Sequence, residues 1–206
     1  MQIQLENIGK RFNREWIFRN IQVTFEKGTQ CAILGGNGSG KSTLLQVLSG
    51  YLTPSEGVVN WADDSGKIPS DKIFRQLSLA TPYMSVHDEF TLKENFEFFQ
   101  KFKRLRNDLD VLSFAQRIGL EPQLNKQLKF FSSGMRQRVK LGLAILGDTE
   151  LLLLDEPTSH LDANAIGWYQ ELLKENSSGR SVFVASNSHA DEIFLCTSRL
   201  VVDDYK

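Results

Sequence analysis

Short alternating or continuous apolar runs mark the two ends of this chain, and helical spacing dominates its middle. Residues 2–5 and 21–25 alternate apolar and polar side chains, the pattern of half-buried strands near the N-terminus. Cys31-Ala32-Ile33-Leu34 is an unbroken apolar run that stops at a glycine cluster, which predicts a buried strand feeding a turn. From Lys41 to Gly50, Leu44, Leu45 and Leu48 share one helical face, and Gly50 closes it. The stretch from Tyr51 to Gly66 holds Pro54, Ser55, Gly57, Asp63, Asp64 and Gly66 and reads as turns. Helices are predicted over 91–105, 108–118 and about 132–146, the first opened by Thr91 as N-cap with Glu94 three residues on. Leu151 to Leu154 and Val182 to Ala185 predict two further strands. Strands alternating with helices around a helical middle predict a single α/β domain over residues 1–206. Its core covers 1–83 and 147–206, with a helical subdomain inserted at about 84–146.

Composition narrows the class. The 206 residues carry 24 Lys+Arg against 25 Asp+Glu, and 41% are hydrophobic, the mix of a soluble globular protein. That neutral balance argues against a nucleic-acid partner bound through a broad basic footprint. No apolar run approaches the roughly 20 residues that cross a bilayer, and MQIQLENIGK lacks a signal-peptide core. Cys31 and Cys196 are too few for a disulfide scaffold and form no metal-ligand cluster, so a cytoplasmic location is expected.

The chemistry sits in two motifs. Gly35-Gly36-Asn37-Gly38-Ser39-Gly40-Lys41-Ser42 satisfies G-x-x-x-x-G-K-[ST] between a predicted strand and a predicted helix. A glycine-rich turn lets backbone N–H groups converge on phosphate oxygens, and the helix N-terminus adds partial positive charge. Lys41 can reach β- and γ-phosphates and Ser42 can ligate Mg²⁺; with Thr43 these residues form the candidate nucleotide cradle of a P-loop NTPase core. The second motif, Leu151-Leu152-Leu153-Leu154-Asp155-Glu156-Pro157, is a buried strand ending in adjacent carboxylates. Asp155 is the candidate Mg²⁺ ligand, and Glu156 the candidate general base for an attacking water.

With these motifs in place the sequence resembles the ATP-binding subunits of ABC transporters over nearly its whole length. Ser159-His160-Leu161-Asp162 looks like that family's D-loop, and Phe131-Ser132-Ser133-Gly134-Met135 like its signature loop. Phe12 sits where the family stacks an aromatic on adenine, with Trp16 as the alternative. The resemblance implies a P-loop NTPase fold with N-terminal antiparallel strands and a helical insertion. It also implies a head-to-tail dimer in which Ser132, Ser133 and Gly134 of one subunit meet ATP held by the other. A homodimer is the simpler case. A separate transmembrane permease subunit is the implied partner, which places the chain peripherally at the inner face of the cell membrane.

Three segments depart from the family pattern, at five positions. Phe131, Ser133 and Met135 replace Leu, Gly and Gln in the signature. Pro82 stands where the glutamine loop is expected. Asn187 takes the place of the switch histidine, with His189 two residues on as the alternative. Asn donates a hydrogen bond to phosphate but does not titrate near neutral pH. A functional but slow ATPase is the expectation; a non-transport ABC-type ATPase and a regulatory nucleotide-binding module are the competing readings. In the insertion, Leu92, Phe96 and Phe99 make one helical stripe, and Phe98, Phe102 and Leu105 a second. Both stripes can be core, or the second can line a groove for a short helix of the membrane subunit. The basic run Lys101, Lys103, Arg104, Arg106 reads as a solvated face.

Overall fold

Two sheets organise the chain, and their strand compositions explain why. In the computed structural model, which describes residues 1–206, the first sheet is antiparallel. Its strands are β1 (Gln2–Phe12), β2 (Glu15–Phe25), β4 (Glu56–Asp63) and β5 (Gly66–Ile68), in the order β2-β1-β4-β5. The second is parallel, with β3 (Gln30–Leu34), β6 (Leu77–Ala80), β7 (Leu151–Asp155), β8 (Ser181–Ser186) and β9 (Ser198–Val201) in the order β6-β7-β8-β3-β9. The four leucines of β7 are all apolar because both faces of that sheet are covered. Leu151 and Leu153 join Phe183 and Ala185 in a core shared with the antiparallel sheet and α1 (Lys41–Leu48). Leu152 and Leu154 join Val182 and Val184 in a second core on the opposite face.

That second core is where the helical insertion packs. α2 (Leu92–Gln100), α3 (Val111–Arg117) and α4 (Ser133–Leu146) place Phe96, Phe114 and Leu143 against Leu152 and Val184, together with Tyr169 of α5 (Ala163–Asn176). A short α6 (Ala190–Ile193) precedes β9. Thr91 caps α2 as its spacing predicts: its hydroxyl accepts from the Glu94 N–H at 3.1 Å, and the Glu94 carboxylate accepts from the Thr91 N–H at 2.7 Å.

Several sequence expectations need correction. β1 and β2 run well beyond the alternating segments, because register shifts along their ladder interrupt the period-2 pattern. The turn-rich stretch 51–66 contains β4, which pairs with β1 at the centre of the sheet; Gly57 sits there because a Cβ would lie 2.2 Å from the Glu6 carbonyl. The helix read over 91–105 ends at Gln100, so Leu105 is not part of a helical stripe; it is buried and bridges to Gly147. α3 begins at Val111 rather than 108, capped by Asp110. The basic run is not a uniform solvated face: Lys103 donates to the Leu77 carbonyl at 2.5 Å and Arg106 to the Thr149 carbonyl at 3.4 Å. Burial lowers the Lys103 pKa. No helix is long and apolar enough to cross a membrane.

Candidate nucleotide site

Three neighbouring strands end at one place. In the order β7-β8-β3, the strands deliver Asp155, Ser186 and Leu34 to a common edge, and adjacent strands lie about 5 Å apart. Residues that follow these ends are therefore within side-chain reach of one another, the arrangement in which parallel sheets bind ligands.

After β3 the loop Gly35–Gly40 turns into α1. Gly40 occupies the N-cap with φ 106°, and a Cβ there would lie 2.4 Å from Ile17 Cγ2, so backbone and space both demand glycine. Gly36, Asn37 and Gly38 are exposed, while Ser39 is buried with its hydroxyl lacking a partner. Lys41 is 5% exposed and folds back over the loop. Its ammonium donates to the carbonyls of Gly35 at 3.0 Å and Gly36 at 2.9 Å, and to Asn187 Oδ1 at 2.6 Å. Ser42 and Thr43, half-buried on the first turn of α1, follow it. Asp203 joins from the C-terminal turn, its carboxylate accepting from the Gly36 N–H at 3.1 Å.

At the end of β7, Asp155 is 2% exposed, and its Oδ2 has no hydrogen-bond partner. Burial raises its pKa, with the Ser42 hydroxyl beside it acting in the opposite sense and the Glu156 charge adding to the rise. An orphaned buried carboxylate oxygen next to the phosphate-loop serine fits a divalent cation. No group of three or more His, Cys, Asp or Glu converges anywhere in the chain. A cation here would thus draw most of its ligands from phosphate oxygens and water, as Mg²⁺ does.

Glu156 adopts φ 45°, a conformation costly for a residue with a side chain, and its N–H donates to the Ala185 carbonyl at 2.9 Å. Its Oε1 accepts from Asn187 Nδ2 at 3.2 Å, and the same amide donates to Asn37 Oδ1 at 2.8 Å. One amide thus joins the phosphate loop, its lysine and the second carboxylate. His189 is exposed at the start of α6 and is not among these contacts, so Asn187 occupies the position between Lys41 and Glu156.

The remaining sequence candidates lie elsewhere. Ser132 caps α4, its hydroxyl accepting from the Met135 N–H at 3.2 Å, which leaves its own proton free to donate. Ser132 and Ser133 are exposed, and Gly134 lies against the His160 carbonyl, 3.0 Å from where a Cβ would stand. Phe131 is buried in the second core, so that signature change is a packing change. Pro82 is exposed on a turn. Phe12 is 49% exposed with the Lys10 ammonium 5.2 Å from its ring, whereas Trp16 is covered by Arg19 at 4.1 Å and Arg11 at 5.4 Å. Phe12 is therefore the more open ring. Two contacts had no sequence signal. Gln137 of α4 donates to the Pro157 carbonyl at 2.9 Å, and buried Glu192 of α6 accepts from Thr158. Both depend on a meeting of elements that periodicity cannot report.

Residues 18–159 match the family model described as ABC transporter. The chain is 33% identical over 196 residues to the ABC transporter ATP-binding protein YybJ of Bacillus subtilis, covering 94% of this chain and 89% of that protein. It is 30% identical to the ABC transporter ATP-binding protein NatA of the same organism, covering 89% of this chain and 77% of NatA. In fold it is similar to the dimeric structure of MJ0796, a bacterial ABC transporter cassette, with a TM-score of 0.80, 22% identity and coverage of 98% and 95% of the two chains. By the family model over residues 18–159 and these relatives, the chain belongs to the ABC transporter ATP-binding proteins.

Proposed function

We propose that this chain hydrolyses ATP as one of a pair of identical subunits and passes the resulting motion to a separate transmembrane permease. The observation that carries this reading is the meeting of Lys41, Asn187 and Glu156 at three adjacent strand ends. In the assignment that follows, the N–H groups of residues 36–43 and the Lys41 ammonium hold the β- and γ-phosphates, and Phe12 stacks on adenine. Ser42 and Asp155 would hold Mg²⁺, which supplies charge neutralisation at the phosphates when bound. Glu156 accepts the proton of the attacking water. Asn187 donates its amide N–H to the γ-phosphate once phosphate displaces it from Lys41. Because catalysis here is mainly positioning and charge stabilisation, loss of a titratable switch residue slows turnover without abolishing it.

The pairing rests on the exposed N-terminus of α4. Ser132, Ser133 and Gly134 present a free hydroxyl proton and helix N–H groups, which suit a phosphate held by the other subunit. For the membrane partner, residues 84–146 act as the receiving arm. Phe98 (36% exposed) and Phe102 (66%) meet edge to face with ring centroids 5.2 Å apart, and His87 and Phe90 extend the cluster. Such an apolar aromatic surface suits a short helix of a permease, which would keep the chain at the inner face of the membrane. Steady-state phosphate release from the purified protein tests the site: Glu156→Gln is expected to lower turnover about a hundredfold or more, and equal rates would remove the assigned base.

A further inference from the structure

Behind the site lies a carboxylate that no nucleotide contact accounts for. Glu192 is 2% exposed. Its Oε1 accepts from the Thr158 N–H at 3.2 Å and from the Thr158 hydroxyl at 2.7 Å, while its Oε2 is buried without a partner. Burying a carboxylate with one oxygen unpartnered costs stability. Filling space alone would be served by an apolar residue there.

What Glu192 connects explains its place. Thr158 lies two residues past Glu156, in a turn closed by Ser159 N–H to the Glu156 carbonyl at 3.1 Å and Leu161 N–H to the Thr158 carbonyl at 3.0 Å. Glu192 lies five residues past Asn187, on α6, whose backbone is pinned where the Tyr169 hydroxyl donates to the Glu192 carbonyl at 3.2 Å. Besides the β7–β8 ladder and the Glu156 N–H bond to the Ala185 carbonyl, side chains join the segment bearing Glu156 to the segment bearing Asn187 twice. The Asn187 amide links them at the front, and Thr158–Glu192 links them from behind. The strained backbone of Glu156 persists only where its surroundings over-determine it.

We infer that Glu192 is a positioning residue for hydrolysis, holding Glu156 against Asn187 through its two hydrogen bonds to Thr158. The inference rests on Glu156 as the general base. It extends to a buried residue whose side-chain partner is Thr158.

The test is kcat and KM for ATP on the whole chain, for Glu192→Ala, Glu192→Gln and Thr158→Val, with Glu156→Gln in parallel. Glu192→Ala is expected to lower kcat about tenfold while KM stays within about twofold, the mark of a loss confined to the transition state. Glu192→Gln keeps an oxygen that accepts from Thr158, so it should run within about threefold of the unaltered rate. Thr158→Val removes one donor and should cost about threefold, and adding Glu192→Ala to it should cost less than Glu192→Ala costs alone. Unchanged kcat in Glu192→Ala while Glu156→Gln abolishes turnover overturns this inference and leaves the base in place. Unchanged turnover in Glu156→Gln overturns the base assignment instead. Glu192→Gln as slow as Glu192→Ala would assign the effect to charge and contradict the hydrogen-bond argument. If Glu192→Ala does not fold, full activity in a folded Thr158→Val contradicts it equally.

Discussion

Asn187 Oδ1 accepts a hydrogen bond from the Lys41 ammonium at 2.6 Å. With the Gly35 and Gly36 carbonyls taking the other two donors, all three donors of the lysine that should bind phosphate are engaged. Phosphate must replace at least one of these partners, and Asn187 is the one on a separate segment. The asparagine is therefore placed to pass from lysine to γ-phosphate.

From this exchange follows a separation of binding from turnover. Asn187→Ala removes a competitor for Lys41 along with a transition-state donor. ATP affinity should stay within about threefold, and kcat should fall about ten- to a hundredfold. Nucleotide titration beside phosphate release checks both halves. Asn187→His should add a limb to the pH–rate profile near pH 6.5, the ordinary histidine range, that the unaltered protein lacks.

Asp155 carries a pH-linked cost. Burial raises its pKa in the folded chain above the unfolded value, so the fold holds that proton more tightly. Stability is then fully present below the unfolded pKa and is lost as pH rises through the folded pKa. Asp155→Asn removes this loss. Without nucleotide or Mg²⁺, the variant should melt at a higher temperature than the unaltered chain at pH 7. The gain should vanish below pH 4, and Mg²⁺-dependent phosphate release should be lost. A lower melting temperature at pH 7 would contradict the sign.

Gly40 admits no side chain. With φ 106° and Ile17 Cγ2 at 2.4 Å from a notional Cβ, Gly40→Ala should destabilise the fold by about 2 kcal/mol and weaken ATP binding. Thermal melting with and without ATP reads both.

How far the sequence carries this site can be judged residue by residue. The phosphate loop and the Asp155-Glu156 pair were legible because each is contiguous and bounded by a strand. β7 was equally plain, since a strand covered on both faces is apolar at every position. β4 was hidden because its turn formers, Gly57 among them, sit within or beside a strand whose close approach to β1 required glycine. The second stripe lost Leu105, though Phe98 and Phe102 still meet, because α2 ends five residues early, at Gln100. Glu192 and Gln137 were invisible for another reason. Their partners, Thr158 and Pro157, lie more than a dozen residues away, and only the packing of α4 and α6 on the turn after β7 brings them together.

Surface chemistry separates the membrane partner from the nucleotide. Phe98→Asp and Phe102→Asp alter exposed rings that are not among the contacts of Lys41, so nucleotide affinity should stay within about twofold while copurification with a membrane subunit from detergent extracts is lost. Retained copurification would remove the aromatic cluster from the interface.

The central claim is that two copies close on ATP and part when it is cleaved. Its most direct test is the mass of Glu156→Gln by light scattering, with and without Mg²⁺ and ATP. The account predicts a doubling of mass on adding ATP that reverses when nucleotide is removed. A monomer at saturating ATP, with binding to Lys41 intact, would contradict it.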